Sequence, residues 1–191
     1  MSKDEIYKEI VRYQYISFDM YDTLVKRDLK DPKDIFKLIE KRRHAHFIED
    51  AVLIVAVCLI GAESNHSPGI LEKLCRRLNS VNEPNRRRAE IYNELAKLYT
   101  PSIADELMHL ELEYEYNLTV MNPWIKSIYK YCCKNGKQII IITDIYLPEK
   151  FIKRVLKKVG IDSWRCLFVS STSGKTKNDG SLYDLALKEL Q

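Results

Sequence analysis

No stretch of this sequence is apolar for long enough to cross a bilayer. The longest run without a charged side chain, AVLIVAVCLIGA at 51–62, is twelve residues long and is flanked by Glu49, Asp50 and Glu63. A spanning helix needs about 20, so no membrane partner is expected, and the run reads as a buried helix or strand. Glycine and proline are scarce, six of each in 191 residues, which argues against a low-complexity chain. Neither sign of charge dominates: 31 basic and 27 acidic residues leave a net charge of +4. The basic clusters Lys41-Arg42-Arg43 and Arg86-Arg87-Arg88 read as solvated helix faces. No nucleic-acid motif lies beside them, so no nucleic-acid partner is expected. The five cysteines (Cys58, Cys75, Cys132, Cys133, Cys166) are odd in number and include no pair with zinc-knuckle spacing. No signal peptide precedes Met1-Ser2-Lys3, and a reduced, cytoplasmic setting is expected. His44 and His46 lie two apart, off a common helix face, so they read as surface residues rather than a metal pair.

What is present is ordinary globular material, 46% hydrophobic and 30% charged. KDEIYKEIVRYQ (3–14) sets Ile6, Ile10 and Val11 on one helical face, and QYISF (14–18) is a short strand. Asp31-Pro32 starts a helix with Ile35, Phe36, Leu38 and Ile39 on its apolar side. Pro84, Pro101 and Pro123 each open a further helix. The first turns Ile91, Leu95 and Leu98 inward, and the second Ile103, Leu107, Leu110 and Tyr114. The third stops at Asn135-Gly136. Three such helices suggest a small bundle.

The pattern then changes. KQIIIITD (137–144) is continuously apolar before its polar end, as expected of a parallel strand covered on both faces. A helix follows from Pro148 to Val159 and stops at Gly160. CLFVSS (166–171) is another short strand, and 179–191 is helical. The expectation is an α/β core, residues 1–25 and 137–191, interrupted by a helical insert over 26–136. Ligand sites in open α/β sheets lie at the carboxyl ends of the strands. Three such ends then matter: Asp19 with Asp22, Thr143 with Asp144, and the loop SSTSGKTKNDG, which carries Lys175 and Lys177.

A carboxylate at such an edge can attack phosphorus, while a hydroxyl and an ammonium hold the transferring group's oxygens. A divalent cation would offset the remaining charge. Two other chemistries are excluded. SGKT (173–176) lacks the glycine a P-loop needs five residues before Gly174, where Val169 stands. No cysteine is followed six residues later by the arginine of a cysteine phosphatase.

In order along the chain, ISFDMYDTL, IIIITD and FVSSTSGKTKNDGSLYD resemble the three leading motifs of the haloacid dehalogenase (HAD) superfamily of hydrolases. The wording FDMYDTL, TDIYLP and K-x-x-G-x-L-Y is closest to a bacterial FDxxDTL-type subgroup, some of whose relatives are joined to glycosyltransferases. The resemblance covers 14–24 and about 105–184. It implies a HAD-like Rossmannoid parallel sheet with an inserted helical cap. Phosphate esters of small molecules would be hydrolysed through an aspartyl-phosphate with Mg2+. By position it makes Asp19 the nucleophile and a metal ligand, with the backbone carbonyl of Tyr21 as a second ligand. Thr143, Asp144 and Lys177 would bind substrate, Thr143 and Lys177 in catalytic roles; Lys175 is a weaker candidate for the lysine.

Four departures follow from the same resemblance. Tyr21 stands where the family's phosphatases carry a second Asp as general acid and base; its dehalogenases also lack that Asp. Asp22 stands where the usual residue is Gly. The acidic fourth motif does not occur before Gln191, and residues 46–80 do not read as a cap helix. The fold is therefore expected to be C-terminally incomplete, with an exposed 14–19 strand edge open to self-association. A catalytically impaired or truncated fragment with a binding role or no independent role, and a carbon–halogen hydrolase, stand as alternative readings.

Overall fold

The computed structural model describes residues 2–31, 34–44, 92–93, 96–97 and 100–190. The 51–62 run, the whole of 46–80, and Ile91, Leu95 and Leu98 of the helix expected from Pro84 lie outside them. The chain divides into two compact units, residues 1–28 with 119–191, and residues 29–118.

In the first unit, α1 (Lys3–Val11) is started by a capping box, in which the Ser2 hydroxyl accepts from the Glu5 amide and the Glu5 carboxylate accepts from the Ser2 amide. β1 (Tyr15–Phe18) runs parallel to β4 (Gln138–Thr143), which runs parallel to β5 (Cys166–Val169). Phe18 is level with Ile141, and Thr143 with Val169. β4 is thus central, and five of its six residues are buried. α7 (Ser181–Glu189) lays Leu182 and Ala186 on Ile140 and Ile142. Side chains alternate across a strand, so Phe18 and Ile141 face the other way. There Phe18 meets Tyr129 of α4 (Pro123–Lys134) edge to face, with ring centroids 6.4 Å apart. The four-isoleucine run is apolar throughout because both of its faces are covered. α5 (Glu149–Lys158), carrying the buried Phe151, Ile152, Val155 and Leu156, connects β4 to β5, and the single helical turn α6 (Ser170–Ser173) follows β5.

The return from the insert comes at Thr119, earlier than the Lys137 expected from the change in sequence style. Two short strands explain it. β2 (Val25–Arg27) pairs antiparallel with β3 (Thr119–Met121), setting Arg27 opposite Thr119. Asn122 then donates its amide to the Leu24 carbonyl and its side-chain Nδ2 to the Thr23 carbonyl, both at 2.9 Å. The two ends of the insert are stapled together on the first unit. α4 follows there, with Ile128, Tyr129 and Cys132 buried, so the third proline-started helix belongs to this unit.

The second unit contains α2 (Asp34–His44) and α3 (Pro101–Leu118), which share a core of Ile35, Phe36, Ile39, Tyr92, Ala104 and Leu107. The apolar side expected for α2 is the one that packs. α3 is rotated from expectation: its buried stripe is Ala104, Leu107, Glu111 and Glu115, while Ile103, Leu110 and Tyr114 are only partly covered. The Tyr92 hydroxyl donates to the Glu111 carboxylate at 3.1 Å, one reason a carboxylate is accepted inside.

Candidate active site

β1 delivers Asp19 at its carboxyl end, and the chain then turns sharply. The Val25 amide donates to the Met20 carbonyl at 2.9 Å, with Met20 and Leu24 fully buried beneath the turn. Asp22 adopts φ 58°, the left-handed region, and is the one non-glycine residue to do so among the described residues. Gly, Asn and Asp tolerate that region best. The turn therefore explains why Asp stands where the resembling proteins use Gly. The Tyr21 ring lies under the Arg27 guanidinium, 4.2 Å from its centroid, a cation–π arrangement.

Asp19 Oδ1 accepts from the Met20 amide at 2.8 Å and lies 2.6 Å from Lys177 Nζ. The Lys177 side chain is 19% exposed and that of Asp19 43%, so the contact sits at the floor of an accessible edge. Asp19 Oδ2 has no hydrogen-bond partner among the described residues. Thr143, which ends β4, is 1% exposed, and no partner for its hydroxyl occurs among the described residues. A buried hydroxyl without a hydrogen bond costs about 1–3 kcal/mol, and such groups in native structures call for an explanation. A ligand oxygen is one.

Lys177 is placed by its loop. Its amide donates to Asp144 Oδ2 at 3.0 Å, and its carbonyl accepts from the Gly180 amide at 3.1 Å. Beside it, fully buried Thr176 donates its amide to Ser181 Oγ, and its carbonyl accepts from the Leu182 amide. Asp179 Oδ1 accepts from both the amide and the hydroxyl of Ser181. The hydrogen bond from the Ser181 side chain is the main cause that holds the Asp179 carboxyl down at about 2. The loop after β4 is laced to the segment after β5 as well. Ser170 Oγ donates to the Ile145 carbonyl and accepts from its amide, and Ser171 Oγ donates to the Leu147 carbonyl at 2.7 Å.

Asp19, Asp144 and Lys177 are thus in direct contact through Lys177. Thr143 ends the neighbouring strand of the same sheet edge. Lys175 makes no contact with Asp19; its amide donates to Ser173 Oγ. Sequence reading named the loop that holds Ser170 and Ser171 but gave those serines no task, and it missed Arg27 and Ser181. The serines carried a signal, a cluster of small hydroxyl residues directly after a strand and before a helix, where side chains bond to turn backbones. Arg27 carried none. Burial pushes the Cys132 thiol up to about 11, which opposes its use as a thiolate nucleophile.

The fit to a divalent cation rests on Asp19 Oδ2, an oxygen donor without a partner among the described residues; the Tyr21 carbonyl is the second donor that the resemblance implies. No group of three His, Cys, Asp or Glu side chains converges among the described residues. Such a set suits Mg2+, which keeps several waters and substrate oxygens while using one or two carboxylates. No helix among the described residues is long and apolar enough to cross a membrane.

No protein-family model and no curated protein matches the chain. Solved structures do. A chain described as a "putative beta-phosphoglucomutase" from Thermotoga maritima is 16% identical, with a TM-score of 0.53; the match covers 93% of this chain and 71% of that one. A "putative phosphoglycolate phosphatase" from Lactobacillus delbrueckii subsp. bulgaricus is 14% identical over 93% of this chain and 73% of its own, with a TM-score of 0.49. At this identity the likeness to the first carries the fold alone. The chain has a HAD-like α/β fold.

Proposed function

We propose that the chain is a HAD-like hydrolase acting on a small phosphorylated substrate through Asp19. The observation that carries this is the 2.6 Å contact between Lys177 Nζ and Asp19 Oδ1 at the carboxyl end of a parallel sheet. A carboxylate beside an ammonium is a nucleophile with a charge ready to receive phosphoryl oxygens. The Thr143 hydroxyl, buried and without a partner among the described residues, is the second support.

In this reading an Asp19 carboxylate oxygen attacks phosphorus, and the bond from phosphorus to the ester oxygen breaks. The departing alkoxide takes its proton from water, because Tyr21 stands in place of the resembling phosphatases' acid. Positioned acid–base catalysis is worth ~10²–10⁴-fold, so turnover is slow. Water then attacks the phosphorus, the aspartyl-phosphate P–O bond breaks, and phosphate and the free Asp19 carboxylate result. Lys177 and Thr143 hold the phosphoryl oxygens throughout. Asp19 and the Tyr21 carbonyl would hold Mg2+, which supplies charge compensation when bound. A cytoplasmic setting and self-association at the 14–19 edge belong to the same proposal. The last draws on β1 being bonded to β4 alone among the described strands, with Tyr15 and Ser17 exposed.

Tyr21 favours a second reading, in which the site binds phosphate without turning esters over; the same residue leaves room for carbon–halogen hydrolysis. The test is a panel of phosphomonoesters assayed with Mg2+ for the parent chain and Asp19→Asn. Slow turnover in the parent, abolished in a normally folded Asp19→Asn, is expected. Full activity in that variant overturns the assignment. Phosphate binding without turnover selects the second reading, and halide release from haloacids the third.

A further inference from the structure

We propose that Asp144 is a positioning residue, acting on the site through the backbone of Lys177 rather than by touching the substrate. The inference rests on reading the strand ends as a phosphoryl site. Asp144 follows Thr143 at the end of β4, where a carboxylate would be taken for a ligand of substrate or metal. Its Oδ2 is instead 3.0 Å from the Lys177 amide, 33 residues further along the chain. The Lys177 carbonyl is held from the other side by the Gly180 amide at 3.1 Å. Both backbone polar groups of Lys177 are therefore tied, one to β4 and one to the turn that starts α7. With the backbone fixed at two points, Nζ comes to rest 2.6 Å from Asp19 Oδ1.

The turn beyond Lys177 is closed in its own right. Thr176 is fully buried, its amide is accepted by Ser181 Oγ at 3.1 Å, and Ser181 is locked by Asp179 Oδ1 at 2.6 and 2.9 Å. Only the amide side of Lys177 depends on an exposed group, and that group is Asp144. A negative charge next to a phosphoryl site repels the ligand; accepting the Lys177 N–H gives the Asp144 carboxylate a use that offsets that cost.

The test uses the acceptor chemistry of the side chain. Asparagine keeps an oxygen able to accept the amide, and alanine does not. Amide hydrogen exchange at Lys177 is measured by NMR on the full chain. Asp144→Ala is expected to speed exchange by about tenfold or more, the scale of one lost charge-assisted hydrogen bond, and Asp144→Asn to stay within about threefold of the parent. In parallel, binding of inorganic phosphate is titrated for Asp144→Ala, Lys177→Ala and the double variant. The double variant is expected to bind no more weakly than Lys177→Ala alone, because Asp144 acts only through that lysine. An unprotected Lys177 amide in the parent, equal exchange in all three chains, or an Asp144→Asn as fast as Asp144→Ala overturns the proposal, as do losses that add in the double variant. Because exchange is read without substrate, failure of the hydrolase reading shows up separately, as absence of turnover with the exchange pattern intact.

Discussion

β1 and β4 are neighbours in one parallel sheet, and each ends on a residue of the candidate site, yet they are built in opposite ways. β4 is buried along nearly its whole length and ends on Thr143, buried and with a hydroxyl that no described residue satisfies. β1 has exposed Tyr15 and Ser17 and ends on Asp19, half-exposed and held by the Met20 amide and Lys177. The difference divides the labour. The central strand supplies a rigid wall and one buried polar atom, at a cost in stability. The outer strand supplies an accessible carboxylate, the proposed nucleophile.

The comparison is sharpened most by removing the residue that joins the two strand ends. Lys177→Ala takes the ammonium from Asp19, and turnover of a phosphomonoester is expected to fall ~10²–10³-fold, the scale of losing one preorganised charge-stabilising group. Steady-state kinetics check it, and a fall in kcat rather than a rise in KM alone is expected, because the ammonium serves the transition state. A second test asks whether the strands differ in stability as they do in burial. Ile141→Ala empties a fully buried site and is expected to cost about 2–5 kcal/mol. Ser17→Ala, one strand over and level with Ile140, is expected to stay within about 0.5 kcal/mol. Chemical denaturation of both variants measures the contrast, and equal effects would break it.

Thr143→Val separates function from stability at a single atom. Valine keeps the shape and removes the unsatisfied hydroxyl. The variant is expected to unfold about 1 kcal/mol harder while binding inorganic phosphate more weakly. Lower stability together with unchanged phosphate binding would assign the hydroxyl a structural partner instead.

Much of this division was legible in the residues. QIIIIT announces a parallel strand covered on both faces, because a short β-branched run ending on polar residues fits that environment, and YISF announces a short strand. Proline marked the starts of α3, α4 and α5, and glycine the stops of α4 and α5, because each has a backbone reason to sit there. The β2–β3 staple was not legible. VKR and TVM carry no periodicity, and their pairing depends on Asn122 reaching Thr23 and Leu24 across the whole insert. The stripe on α3 was misplaced because it contains Glu111 and Glu115, and buried carboxylates are invisible to a rule that counts apolar residues. At the site, Asp19, Thr143 and Lys177 were readable from motif order. The backbone bond from Lys177 to Asp144 was not, since no sequence spacing encodes an acceptor 33 residues away.

The central claim, that phosphorus is transferred to Asp19, is tested most directly by acid-quenching the chain during turnover of a phosphomonoester with Mg2+. The peptide containing Asp19 is then read by mass spectrometry. The account predicts a phosphate adduct on Asp19, absent from Asp19→Asn. Phosphate release with no adduct on Asp19, or with the adduct on another residue, would contradict it.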